Sequence, residues 1–85
     1  MKTHTLKIRK IYAMSVLYGQ KTFEIRENDR DFQVGDHVKF IVVDDDMEMT
    51  DEYEITYVLK DVPQYGLKKG YCVFTIKKMT QGANE

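Results

Sequence analysis

Five segments of this chain carry hydrophobic residues with a two-residue period or in short β-branched and aromatic runs. Such segments are typical of β-strands. In the first of them, His4, Leu6 and Ile8 alternate with polar residues, which predicts a strand with one buried face. The five predicted strands cover residues 3–9, 21–27, 37–44, 53–61 and 71–78.

One segment between the first two strands has the helical period instead. The apolar residues Ile11, Met14, Leu17 and Tyr18 are spaced near the helical period, and Gly19 follows directly. Glycine just past a helix favours the left-handed cap that ends it. The sequence therefore predicts a helix over about residues 10–18.

The order of elements predicts a mostly β, α+β fold. Several short strands and one helix in 85 residues favour a small, mostly antiparallel β-barrel, because closure removes exposed strand edges. The length allows one domain, which we expect over residues 1–79, followed by a flexible C-terminal tail at 80–85. The acidic segment at residues 44–52 is predicted to be a solvated hairpin tip.

Composition excludes several functional classes. The net charge is only −1, so tight nonspecific binding to duplex nucleic acid, which needs a strong positive charge, is not expected. The charge is uneven, however, because residues 1–30 hold seven Lys and Arg against three Asp and Glu. No apolar run could cross a membrane, and no leader is evident.

The single Cys72 indicates a reducing cytoplasm and is expected to be an inert buried thiol. His4, His37 and Cys72 lack metal-ligand spacing, so we expect no metal or other cofactor.

Charged residues concentrate in the stretch GQKTFEIRENDRD, from Gly19 to Asp31. If Phe23 and Ile25 fill the core, Glu24 and Arg26 share the opposite face of their strand, about 7 Å apart. A carboxylate and a fork-shaped guanidinium at that distance suit a polar or anionic ligand. In the alternative interpretation, these side chains are solvated and contribute little.

The motif G-x-K-x-x-E-x-R in "GQKTFEIR" resembles the signature of the ASCH (ASC-one homology) domain of the PUA-like superfamily. "ENDRDFQVGD", "ITYVL" and "QYGLKKGYCVFTI" resemble a small branch common in phages and prophages. The resemblance spans roughly residues 2–78. It implies a small PUA-like antiparallel β-barrel with one helix between the first two strands, and a cleft that binds RNA.

The resemblance also implies roles for individual residues. Lys21, Glu24 and Arg26 would line the cleft, and His4 and Lys7 would border it. Some ASCH proteins hydrolyse N4-acetylcytidine with a Lys and a Thr of this motif, and others cleave RNA. Glu24 stands at the Thr position here, so a hydrolase using Lys21 as base and Glu24 beside it is the alternative to a binding module.

Two loops add candidate ligand contacts. Asp29 or Asp31 could orient Arg30 toward a phosphate or base, although Asn and Asp in such loops often only bond nearby backbone. Tyr65 could stack on an unpaired base, although such a tyrosine more often covers the core. The expected ligand is single-stranded RNA or a nucleotide, bound by a monomer. A host protein is a further possible partner, because the uneven charge would serve that role equally well.

Overall fold

The computed structural model describes residues 1–79, so the predicted tail at 80–85 lies outside the described residues. Every predicted strand and the predicted helix are present, and a short 3₁₀ turn precedes the last strand. A two-residue strand also forms inside the acidic segment. The elements are β1 (Thr3–Ile8), α1 (Lys10–Leu17), β2 (Phe23–Glu27), β3 (His37–Val42), β4 (Met47–Glu48), β5 (Tyr53–Lys60), the 3₁₀ turn (Pro63–Tyr65) and β6 (Tyr71–Lys78).

The strands form a single curled sheet in the order β1-β3-β5-β6-β2, with β4 paired to β3. All pairings are antiparallel except β1 with β3, which run parallel. This curled half-barrel with one helix confirms the predicted mostly β fold. The two end strands, β1 and β2, are not hydrogen-bonded to each other as a ladder, and we call the gap between them the seam.

The core fills the concave side of the half-barrel. Alternate residues of β1, β3, β5 and β6 point into it, as the period-2 pattern predicted. Phe40, Ile55 and Phe74 are fully buried, and Phe32 reaches the same cluster from the loop after β2. Burial of this apolar surface is the main force that holds the sheet curled.

The prediction for β2 was wrong about which face is buried. Phe23 and Ile25 are 41% and 57% exposed, whereas Glu24 is 4% exposed. The cause is the pairing with β6: Glu24 lies opposite Phe74, and residues directly opposite each other project from the same face of a sheet. Since Phe74 points into the core, Glu24 must as well.

The apolar residues that indicated α1 are not the ones that it buries. Ala13 and Val16 are buried, whereas Ile11 and Leu17 remain 69% and 50% exposed. Ala13 and Val16 belong to the hydrophobic core, and α1 contacts β3. The predicted stop is confirmed, because Gly19 has a φ of +76°, a left-handed conformation that glycine adopts without steric cost.

Candidate functional site

A cleft of about 820 Å³ opens beside the helix, where β2 passes the end of β1. It lies within the range of small-molecule sites, about 300–1,000 Å³. The end of β1, the side of α1 that carries Tyr12 and Ser15, the edge of β2 and the start of β6 form its walls. The residues that line it are Lys7, Ile8, Arg9, Tyr12, Ser15, Gln20, Lys21, Phe23, Glu24, Ile25, Arg26, Glu27 and Tyr71.

A buried carboxylate held by two cations is part of the wall of this cleft. Lys21 Nζ donates to Glu24 Oε2, and Arg26 Nε donates to Glu24 Oε1 at 3.1 Å. The Glu24 side chain is 5% exposed, while those of Lys21 and Arg26 are 18% and 24% exposed. The three motif residues therefore form one group with a net positive charge, open to the cleft through its cations.

Both cations are further fixed by backbone carbonyls. Lys21 Nζ donates to the carbonyl oxygen of Phe23 at 2.7 Å, and Arg26 Nη2 donates to that of Lys7 at 2.6 Å. An ammonium has three donors and a guanidinium has five. After these bonds and those to Glu24, each cation keeps donor capacity for a ligand.

Arginine side chains bridge the seam between β1 and β2. Arg26 reaches the carbonyl of Lys7, and Arg30 Nη1 reaches that of Thr5 at 2.9 Å. These carbonyls lie on the free edge of β1. Side-chain donors thus replace the missing strand ladder, and they place two guanidinium groups along the opening.

Aromatic rings surround the Lys21 ammonium. Lys21 Nζ lies 5.2 Å from the ring centroid of Phe23 and 6.0 Å from that of Tyr12, within the range of cation–π attraction. Tyr71 lines the cleft from β6. The site therefore combines hydrogen-bond donors with flat apolar surfaces.

Comparison with known protein families assigns the chain. The family described as "Domain of unknown function (DUF3850)" matches residues 3–76, nearly all of the sequence. The chain belongs to this family. No curated protein matches it.

The structure brings together only some of the predicted ligand contacts of this DUF3850 member. Lys7, Lys21, Glu24 and Arg26 share the cleft. Asp29 and Arg30 lie beside Arg26 around a smaller cavity of about 150 Å³. The predicted cluster is thus present along the seam, divided over two adjoining cavities.

His4 and Tyr65 lie elsewhere. His4 is 5% exposed, and its Nε2 is 2.8 Å from Asp36 Oδ2, so it belongs to the interior and not to the cleft border. Tyr65 is 81% exposed on the 3₁₀ turn and lines neither cavity. Tyr65 therefore does not cover the core. Its position in a loop could not show how far Tyr65 lies from the motif residues in the folded chain.

The buried pair of His4 and Asp36 is a structural anchor. Asp36 also accepts the backbone N–H groups of Lys2 at 3.0 Å and Gln33 at 3.1 Å. Burial raises the pKa of Asp36, but the hydrogen bonds from His4, Lys2 and Gln33 outweigh it and lower the pKa below its usual value. Asp36 therefore ties β1 to the loop before β3.

The acidic segment is exposed, as predicted, but it is also paired. Asp44 accepts the backbone N–H of Lys10 at 2.9 Å, which satisfies a free donor at the start of α1. This bond, followed by the bond from Arg9, lowers the pKa of Asp44. Lys10 Nζ lies 3.2 Å from Asp45 Oδ2. The acidic segment thus partly neutralises the basic N-terminal region and orients the helix that borders the cleft.

Tyr12 and Tyr71 were missed as cleft residues by the sequence analysis. Tyr12 lies three residues before Ser15 on α1, and both line the cleft, so the helical period alone could have grouped them. Tyr71 comes from a strand more than forty residues after the motif. Only the pairing of Glu27 with Tyr71 brings it to the site.

Within residues 1–79, no helix is long and apolar enough to span a membrane. The same residues contain no group of three His, Cys, Asp or Glu side chains arranged to hold a metal ion.

Proposed function

We propose that this protein binds RNA, or a nucleotide-sized piece of it, in the cleft beside α1. The observation that carries the proposal is the group of Lys21, Glu24 and Arg26, whose cations retain free donors in a cleft with aromatic walls. Acceptor groups of a nucleotide, such as phosphate and base carbonyls, match those donors. The rings of Tyr12 and Tyr71 offer surfaces on which a base can stack.

In this proposal Glu24 has a positioning role. Its two oxygens already accept from Lys21 and Arg26, and its side chain is nearly inaccessible. Glu24 holds the two cations at a fixed separation, and those cations contact the ligand. Exposed Lys7 lies at the rim and supplies charge to a phosphate.

The arrangement favours a binding module over a hydrolase. A nucleophilic hydroxyl would have to contact a base, and Glu24 occupies the position at which the resembling amidohydrolases carry threonine. Lys21 donates to Glu24 and to the Phe23 carbonyl, and neighbouring Thr22 is exposed.

We propose the cytoplasm as the location, consistent with the free thiol of Cys72.

Amide NMR titration tests the proposal. Labelled protein is titrated with nucleoside 5′-monophosphates, short single-stranded RNAs and N4-acetylcytidine, while the proton signals of each ligand are followed. We expect saturable shifts at Tyr12 and residues 21–27, with every ligand intact. Conversion of N4-acetylcytidine or cleavage of RNA would replace the binding module by the hydrolase, and absence of saturable shifts with every ligand would refute RNA binding.

A matched pair of lysine variants localises the effect. Lys7→Gln removes a cation from the cleft rim, while Lys2→Gln removes an exposed lysine next to the same strand, outside the cleft. We expect Lys7→Gln to weaken monophosphate binding several-fold and Lys2→Gln to leave it unchanged. Equal effects of the two variants would indicate nonspecific charge attraction.

A further inference from the structure

The outer face of the sheet carries an uncovered apolar and aromatic surface. Phe23 and Ile25 of β2 point outward. Tyr57 and Leu59 of β5 also point outward and are 60% and 38% exposed. The pairings place Phe23 and Tyr57 on either side of Thr75. Ile25 and Leu59 similarly flank Val73. We call this surface, together with Tyr71 at one end, the outer platform: Phe23, Ile25, Tyr57, Leu59, Tyr71 and Val73.

The platform is continuous with the cleft. Phe23, Ile25 and Tyr71 belong to both, because β2 is the edge strand and the cleft opens over that edge. A ligand whose central unit lies in the cleft would therefore meet the platform with its neighbouring units. A mononucleotide in the cleft would leave Tyr57 and Leu59 uncovered.

A lysine lies next to an aromatic ring at each end of the platform. Lys21 Nζ lies 5.2 Å from the ring centroid of Phe23, and Lys68 Nζ lies 5.4 Å from that of Tyr71. Lys77 continues the outward row of β6 beyond Thr75, opposite Glu54. Rings accompanied by cations offer a stacking surface for a base together with a partner for its phosphate.

The positions that carry the rings are spaced to suit a chain of nucleotides. Phe23 and Tyr57 lie on strands separated by β6, about 10 Å apart across the sheet. Tyr71 lies four residues, about 13 Å, along β6 from Thr75, the residue between them. In one common RNA-binding fold, aromatic side chains on the face of a β-sheet stack two or three bases of a single strand. The platform offers three rings on one face.

We infer that the protein binds single-stranded RNA as an oligonucleotide, with one nucleotide in the cleft against Tyr12 and Tyr71 and flanking bases stacked on Phe23 and Tyr57. This inference rests on the proposed function of the cleft and extends it from a nucleotide to a strand. It assigns to the outer platform most of the preference for longer ligands.

The test compares ligand length by fluorescence anisotropy and competition. Probes are the 5′-monophosphates of adenosine, cytidine and uridine and the corresponding homopolymeric hexanucleotides. Wild-type protein is expected to bind at least one hexanucleotide more tightly than its mononucleotide. Tyr57→Ala is expected to weaken that hexanucleotide about 5- to 150-fold, the range for loss of one stacked base, and to leave the mononucleotide unchanged.

Two control variants separate stacking from other effects. Tyr57→Phe keeps the ring, so it is expected to bind the hexanucleotide like the wild type. Tyr18→Ala removes an exposed ring at the end of α1, outside the platform and the cleft, and is expected to have no effect. A loss with Tyr57→Phe as large as with Tyr57→Ala would refute stacking.

The outcomes distinguish the two proposals. Mononucleotide binding without any gain for hexanucleotides would overturn the platform and leave the cleft proposal intact. A gain with length that Tyr57→Ala leaves untouched would also overturn the platform. Failure of all probes would refute both proposals. Self-association that Tyr57→Ala abolishes, without RNA binding, would make the platform a protein interface.

Discussion

The charge on Glu24 provides the most direct test of the site's architecture. Glu24→Gln keeps the size of the side chain but removes its charge and converts one acceptor oxygen into a donor amide. The new amide must face either Lys21 Nζ or Arg26 Nε, both of which are donors. One charge-assisted hydrogen bond is therefore lost, and two cations lose the anion that compensates them.

The expected cost follows from burial. A hydrogen bond to a charged group contributes about 1.5–3 kcal/mol, and removing one partner of a fully buried ion pair costs about 3–5 kcal/mol. The Lys21 and Arg26 side chains keep 18% and 24% of their exposure, so water recovers part of the loss. We expect Glu24→Gln to lower the free energy of unfolding by about 2–3 kcal/mol, which lowers Tm by roughly 10–20 °C in a domain of this size.

Urea denaturation measures this change, and Glu27→Gln is the matched control. Glu27 lies on the same strand, is exposed, and forms no ion pair with any residue from 1 to 79. Its substitution is expected to change stability by no more than about 0.5 kcal/mol. If Glu24→Gln cost no more than Glu27→Gln, Glu24 would be a solvated surface residue, and the argument from strand register would be wrong.

Two further predictions concern the interior. Because hydrogen bonds lower the pKa of Asp36 despite its burial, its stabilising contribution is fully present above the unfolded carboxyl pKa of about 3.9 and is lost as pH falls through the lower folded value. Urea denaturation of Asp36→Asn should therefore give a lower free energy of unfolding than the wild type near neutral pH. This free energy should also fall less steeply as the solution is acidified. Parallel pH profiles for the two proteins would contradict this role of Asp36. Burial raises the pKa of the Cys72 thiol, so Ellman's reagent should react slowly with the native protein at pH 8 and rapidly in denaturant, whereas equal rates would show that Cys72 is accessible.

Local signals in the sequence were sufficient to define the elements. Alternation identified β1 and its buried residues His4, Leu6 and Ile8, all three of which are buried. The start of α1 and the glycine that follows it were also correctly located. These features depend on side-chain period and backbone propensity, which act over a few residues and can be read from any short window.

The sequence predicted the candidate site only in part, because the pairing of β2 with a distant strand decides which of its faces is buried. The motif located Lys21, Glu24 and Arg26, and the structure joins them into one hydrogen-bonded group. Alternation states which residues of β2 share a face, but it does not state which face is buried. That choice depends on β6, whose Phe74 lies fifty residues after Glu24 and brings it into the interior.

The sequence by itself thus determined the elements, their order and the charged motif. Only the tertiary structure decided that β1 and β2 end the sheet on opposite sides, that Glu24 is buried between Lys21 and Arg26, and that Phe23 joins Tyr57 on the outer face. The physical reason is that strand register and burial are set by contacts between residues far apart in the chain, so no local window contains them.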